Sequence, residues 1–159
     1  MILFTLGTTE YPFNRLIWWI KDLVERNIIT EDIFIQHGAS DISCLQQYRT
    51  IRFEKILSFQ DMVQFIQQSR VVISHAGQGS TRLLTDEKVN FALVPRLSKY
   101  GEHVDDHQWL FAQAMSQFGV KYCLDINDII EAVNIPPRVV HPTIFSSQKL
   151  AEYLIKTYP

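Results

Sequence analysis

Val71-Val72-Ile73-Ser74-His75-Ala76-Gly77-Gln78-Gly79-Ser80-Thr81 passes from a run without in/out alternation into a glycine-bearing turn and then into helical spacing to about Glu87. Such a run suits a strand covered on both faces. The same order of strand, turn and helix opens the chain: Ile2 to Leu6 is apolar, Gly7-Thr8-Thr9 ends it, and Phe13, Leu16, Ile17, Ile20, Leu23 and Val24 then share one helical face. Ile33–Gln36 and Ile51–Phe53 read as brief strands, with a short helix marked by Met62, Phe65 and Ile66 before residue 71. Downstream, Phe91–Val94 is a strand stopped by Pro95; Val104, Phe111, Met115 and Phe118 mark a longer helix; Val120–Leu124 reads as the last strand. Asn127–Val133 suits a small helix, and after Pro136-Pro137 a terminal helix is expected over about 146–157, capped by Ser146 or Ser147.

Alternation of apolar strands with amphipathic helices predicts an α/β fold, a Rossmann-like parallel sheet sandwiched by helices. One domain over 1–159 is expected, because 159 residues with 47% hydrophobic and 20% charged side chains supply one core and little more. No repeat or linker interrupts the chain. A balance of 15 Lys+Arg against 17 Asp+Glu gives a formal charge of -2, too little positive field for a nucleic-acid partner. Cys44 and Cys123 are far apart and lack partner Cys or His at ligand spacing, which argues against structural zinc, a disulfide framework or a Cys-x-x-Cys centre and favours a reducing cytoplasm. No leader-like start and no apolar run of about 18 residues is present, so a membrane link is expected to go through a partner or the protein surface.

In open parallel sheets ligands collect at the carboxyl ends of strands, where turns expose backbone N–H groups and a helix presents its positive end. Three such ends are polar here: Gly7-Thr8-Thr9, His75–Thr81 and Pro95–Gln108. The middle one suits a diphosphate, with Gly77 and Gly79 permitting close approach and Ser80 and Thr81 supplying hydroxyls. It is equally a tight turn that uses glycine for positive φ. In the third, Gly101-Glu102-His103-Val104-Asp105-Asp106-His107-Gln108 gathers polar groups at a helix start, where Gln108 sits atop the apolar stripe of Val104, Phe111 and Met115, aimed toward the glycine turn. Amides and carboxylates there can grip sugar hydroxyls, or Asp105 and Asp106 can simply favour the helix dipole while the His residues are solvated.

Gly7-Thr8-Thr9 with Pro12-Phe13, Ser74–Ser80, Val94-Pro95-Arg96 and Gly101–Gln108 together resemble the C-terminal domain of glycosyltransferase family 28. The likeness runs from Met1 to about Leu124. It is nearest to the stand-alone small subunit of bacterial exopolysaccharide or capsule glycosyltransferases, similar to the catalytic subunit of the eukaryotic two-subunit UDP-GlcNAc transferase. The resemblance implies one half of a GT-B fold, the half that binds a UDP-sugar donor. It implies that Thr8, Thr9, His75, Gly77, Gly79, Ser80 and Thr81 surround the diphosphate and that Asp105, His107 and Gln108 face the donor sugar. Arg96 reaches a phosphate or makes a surface salt bridge; the sequence leaves both open.

The implied chemistry is inversion, with UDP departing toward backbone N–H groups and no metal or other cofactor required. Asp105-Asp106 form no Asp-x-Asp pair and are expected to diverge on a helix. The general base is not identified; Glu10 and His103 are the local candidates, each also readable as a solvated side chain. Where many relatives carry a ribose-binding Glu just after the glycine turn, this chain has Leu83. The expected partners are a membrane-anchored acceptor-binding subunit and a lipid-linked saccharide, met peripherally at the inner face of the cytoplasmic membrane. A non-catalytic nucleotide-binding accessory subunit is the alternative. Trp18, pointing away from the core face of the first helix, Trp19 on its flank, and Ile155 and Tyr158 on the terminal helix are expected at the partner contact.

Overall fold

Ile2–Thr5 (β1), Ile33–Gln36 (β2), Ile51–Glu54 (β3), Val71–His75 (β4), Phe91–Val94 (β5) and Lys121–Tyr122 (β6) form one six-stranded sheet. Its order is β3-β2-β1-β4-β5-β6, and all five ladders are parallel. This computed structural model describes residues 1–138 and Phe145; the expected terminal helix at 146–157, with Ile155 and Tyr158, lies outside the described residues.

The connecting helices are α1 (Asn14–Glu25), α2 (Phe59–Gln68), α3 (Gln78–Asp86), α4 (His107–Ser116) and α5 (Ile126–Asn134). Side chains alternate across the sheet, so Ile2, Phe4, Ile33, Ile35, Val71 and Ile73 pack with α1 and α5 on one face. Leu3, Phe34, Val72, Phe91 and Leu93 pack with α2, α3 and α4 on the other. Both faces being covered, the central strands are apolar up to the polar residues at their carboxyl ends, Thr5, Gln36, Ser74 and His75, which is why their sequences show no alternation. The chain winds outward in both directions from the β1–β4 pair, so the loops after these two strands diverge to opposite faces and leave a crevice between them.

Two boundaries differ from expectation. The last strand is two residues long, because the N–H groups of Leu124 and Asp125 turn to the Asp128 carboxylate, 2.8 and 3.2 Å away, in the capping box that starts α5. The long helix begins at His107, leaving Val104 outside it and 68% exposed. Residues 97–106 are instead held by polar contacts: the buried Glu102 carboxylate accepts from Leu97 N at 2.9 Å, and Asp106 Oδ1 accepts from Ser98 N at 2.7 Å. Asp105 and Asp106 therefore precede the helix, Asp106 being its N-cap residue, and do not diverge along it. The helix after the glycine turn starts at Gln78.

Candidate functional site: a crevice at the β1–β4 switch

The crevice is a recess of about 140 Å³ lined in part by Gly7, Thr8, Gln36, His75, Ser80 and Leu83. Gln36, at the end of β2, fixes the β1 turn: its amide donates to Gly7 O at 3.0 Å and accepts from Gly7 N at 3.1 Å. Gly7 has φ +84, a left-handed conformation that a side chain would strain. Across the switch, Thr5 Oγ1 donates to Ser74 Oγ at 2.8 Å, joining the two strands beneath the crevice floor.

His75 stands between the two turns. Its Nδ1 lies 3.2 Å from Thr5 O, and a carbonyl only accepts, so Nδ1 carries the proton and Nε2 presents a lone pair. Burial, with the nearby Arg96 charge adding to it, lowers the imidazole pKa to about 4, and the ring is neutral at physiological pH. His75 thus shapes the crevice and offers it an acceptor; it is no cation for a phosphate. A Cβ at Gly77 would stand 2.5 Å from Nε2, so glycine is required there by contact with His75, Gly77 itself having φ -83. The positive-φ reading of this turn is corrected accordingly.

The helix that follows starts, like α1 and α4, without a side-chain cap on its N-cap residue. Ser58 caps α2 and Asp125 caps α5 through side-chain hydrogen bonds, whereas α3 has no side-chain cap at Gly77. The N–H groups of its first turn therefore point outward at the positive end of the helix, available to an anion. At Gly79 an added Cβ would meet nothing within 4 Å, so the backbone is open to a ligand. Ser80 lines the crevice, while Thr81 is fully buried and its hydroxyl donates to Gly77 O at 2.8 Å. Thr8 is on the rim and exposed; Thr9 is half-buried and Glu10 exposed.

Arg96 neither reaches a ligand nor makes a surface salt bridge. It is fully buried, and its guanidinium donates to Leu6 O (2.6 Å), Tyr11 O (2.7 Å) and Glu102 O (3.0 Å). Burial pushes its pKa down to about 10, leaving it charged. Gln108 belongs to the same network: it is buried and its Oε1 accepts from Arg96 N at 3.2 Å, so the amide faces the end of β5. Glu102 completes it, accepting from Arg15 Nε and Nη2 at 2.8 Å each. Sequence reasoning missed Arg15 and Glu102 as partners 87 residues apart, and it missed Gln36; only the charge complementarity of a buried fold connects them. Asp105, on the loop beside this network, and His107, the first residue of α4, are exposed, with His103 half-buried against Tyr11.

The glycosyltransferase family 28 C-terminal domain model matches residues 1–135. The chain belongs to that family. Solved structures with the same fold include MurG from Acinetobacter baumannii, at 16% identity over 94% of this chain and 42% of that one, TM-score 0.56. The calicheamicin glycosyltransferase CalG4 matches at 14% identity over 99% and 43%, TM-score 0.62. A UDP-GlcNAc 2-epimerase from Methanocaldococcus jannaschii, solved with UDP-GlcNAc and UDP, matches at 14% identity over 99% and 45%, TM-score 0.62. This family 28 domain spans less than half the length of each of these proteins, and it has the Rossmann-like fold of one half of a GT-B enzyme. Among curated proteins none matches it. Among its described residues no helix is long and apolar enough to cross a membrane. Cys44 and Cys123 are both free, and burial pushes the Cys123 thiol up to about 12.

Proposed function

We propose that this chain is the donor-binding, catalytic half of an inverting, UDP-sugar-dependent hexosyltransferase that builds a lipid-linked exopolysaccharide or capsule precursor. The observation that carries the reading is the uncapped start of α3 at the β1–β4 switch, where free N–H groups, Gly79 and Ser80 meet the Gly7-Thr8 turn across one crevice. A helix N-terminus at such a switch suits a diphosphate without a metal. The presence of UDP-GlcNAc and UDP in one protein of this fold supports the same ligand class.

In this reading Thr8, Thr9, Gly77, Gly79 and Ser80 surround the diphosphate, and Asp105 and His107, on the neighbouring strand-end loop, face the donor sugar. Thr81 and Gln108, both buried, act by holding the backbone that does so. UDP leaves toward the α3 amides while an acceptor hydroxyl attacks the anomeric carbon from the opposite side. The acceptor, a lipid-linked saccharide, and the general base are supplied through a membrane-anchored partner at the inner face of the cytoplasmic membrane.

A second reading, a nucleotide-binding accessory subunit without turnover, is favoured by one observation. Leu83 lines the crevice together with Met62 and Ile66, giving an apolar wall in place of the carboxylate that would hold ribose hydroxyls. Calorimetry of the purified chain with UDP, followed by assay of the chain co-expressed with its partner against a panel of UDP-sugars, tests both. UDP binding with transfer that requires this chain supports the first. Transfer by the partner alone, merely increased by this chain, supports the second.

A further inference from the structure

The end of the loop before α4 and the first residue of that helix place two imidazoles and a carboxylate together within five residues: His103, Asp105 and His107. One ligand atom from each lies within 4.8 Å of the others. His103 Nδ1 is 3.5 Å from Asp105 Oδ1, and His107 Nδ1 makes a short contact with the same oxygen. His103 Nδ1 is shielded from solvent and has no hydrogen-bond partner, although its ring is wedged between Tyr11 and His107. An orphaned ring nitrogen beside a carboxylate is costly unless a proton or a cation occupies the space between them. Asp106 and Glu102, the other carboxylates of this loop, are already used by Ser98 N and by Leu97 N and Arg15.

We propose that His103 Nδ1, Asp105 Oδ1 and His107 Nδ1 form a facial site for a first-row divalent ion of the Zn²⁺, Co²⁺ or Ni²⁺ class. Two imidazoles with one carboxylate suit ions of intermediate softness better than Mg²⁺ or Ca²⁺, which favour all-oxygen sets. With metal–ligand bonds of about 2.1 Å, tetrahedral ligands stand about 3.4 Å apart; His103 Nδ1 and Asp105 Oδ1 are near that separation, whereas His107 Nδ1 lies closer to Asp105 Oδ1 and must turn outward to share an ion with it. The ion replaces the proton shared by Asp105 and His107, and its remaining positions open to water, since Asp105 and His107 are exposed. The ion takes no part in transfer. It occupies the two side chains assigned above to the donor sugar, so metal and sugar exclude each other; this consequence, unlike the site itself, rests on the proposed function.

The test is titration of the tag-free full chain with Co²⁺, read by visible absorption, and with Zn²⁺, read by calorimetry. One ion per chain is expected. Asp105→Ala, His103→Ala and His107→Ala should each weaken it by at least about tenfold, since losing even a hydrogen-bond partner of a ligand costs that much. Absence of Co²⁺ absorption and of Zn²⁺ heat, or an affinity unmoved by all three substitutions, overturns the site. Saturating Zn²⁺ should further weaken UDP-sugar binding while leaving UDP binding unchanged. Equal UDP-sugar affinity with and without Zn²⁺ in a chain that binds both overturns the exclusion. A chain that binds Co²⁺ but not UDP keeps the site and removes the donor-binding reading instead.

Discussion

Arg96 donates from Nη2 to the carbonyl of Leu6 at 2.6 Å, so a side chain that follows β5 holds the chain at the point where it leaves β1. With Tyr11 O and Glu102 O on Nη1, one cation ties the turn after the first strand to the loop that carries Asp105 and His107. Both segments border the proposed donor site, and apart from one 3-10 turn at Ser98–Tyr100 the residues between β5 and α4 have no regular secondary structure to fix them.

Arg96→Met should leave two buried carbonyls, Leu6 O and Glu102 O, and the part-buried Tyr11 O without this donor, each buried one costing about 1–3 kcal/mol. A total of about 3 kcal/mol or more corresponds to a fall in Tm of about 6–12 °C for a domain of this size. Arg96→Lys, with a single ammonium, should recover only part of this, since it cannot span three acceptors in a plane. Urea unfolding of both variants checks it; a Met variant as stable as the parent would show that the network is not needed. Gln108→Ala should cost about 1–3 kcal/mol through the stranded Arg96 N–H, before any effect on sugar transfer.

His75 predicts a pH dependence with a definite sign. Its folded pKa of about 4 lies below the ordinary 6.5, so the unfolded chain takes up a proton that the folded chain refuses between these values. The stability it contributes is present above pH 6.5 and is lost as pH falls toward 4, by up to about 3 kcal/mol. His75→Gln should flatten stability over that window, as followed by urea midpoints at several pH values. Identical slopes in parent and variant would contradict a neutral, buried imidazole.

Gly77→Ala should destabilise the fold, because its Cβ would stand 2.5 Å from the His75 ring, and it should do so less when His75 is also shortened to Ala. A coupling of about 0.5–3 kcal/mol in the double-mutant cycle is the expected signature of direct contact. Additive losses would mean that Gly77 is required for another reason.

How much of this was legible depends on where each residue gets its energy. β1, β2 and β5 are readable because burial on both faces demands apolar runs, and each is buried throughout, whereas the edge strand β3 is buried only at Ile51. Val104 misled, since an apolar side chain was counted into a helical stripe although the loop is fixed by the Glu102 and Arg96 networks, which leave it 68% exposed. Arg96 looked like a ligand-binding cation because sequence cannot show that three carbonyls converge on it. The glycine turn is legible in the sequence, but the contact that requires Gly77 is not: His75 next door fills the space that a side chain would need.

Gly79→Val and Ser80→Asp should weaken UDP binding by at least about tenfold with the fold retained. The first sets bulk where an added Cβ meets only open space, and the second puts a negative charge beside the diphosphate. Calorimetry reads the result, and unchanged affinity in either folded variant would remove α3 as the anchor.

Partner dependence supplies the last prediction. Trp18 is 58% exposed and Tyr100 55%, and both border an open recess of about 510 Å³ that Pro12, Asn14, Trp19 and the Arg15–Glu102 pair also line. Arg15 is fixed there between Trp19 and Tyr100, its guanidinium carbon 4.6 and 5.1 Å from the two ring centres, so the aromatic surface is held rigid and needs little ordering on contact. Large aromatic side chains on such a surface are the usual anchors of protein contacts. Trp18→Ala should therefore weaken association with the acceptor-binding subunit by about tenfold or more, while UDP calorimetry and Tm stay near the parent values, because Trp18 projects from α1 away from its buried face of Leu16, Ile17, Ile20 and Leu23. The chain alone should bind donor and transfer no sugar. Full transfer by the purified 159-residue chain without partner or membrane would defeat that dependence. A complex that survives Trp18→Ala and Tyr100→Ala together would leave the dependence standing and place the contact on another face.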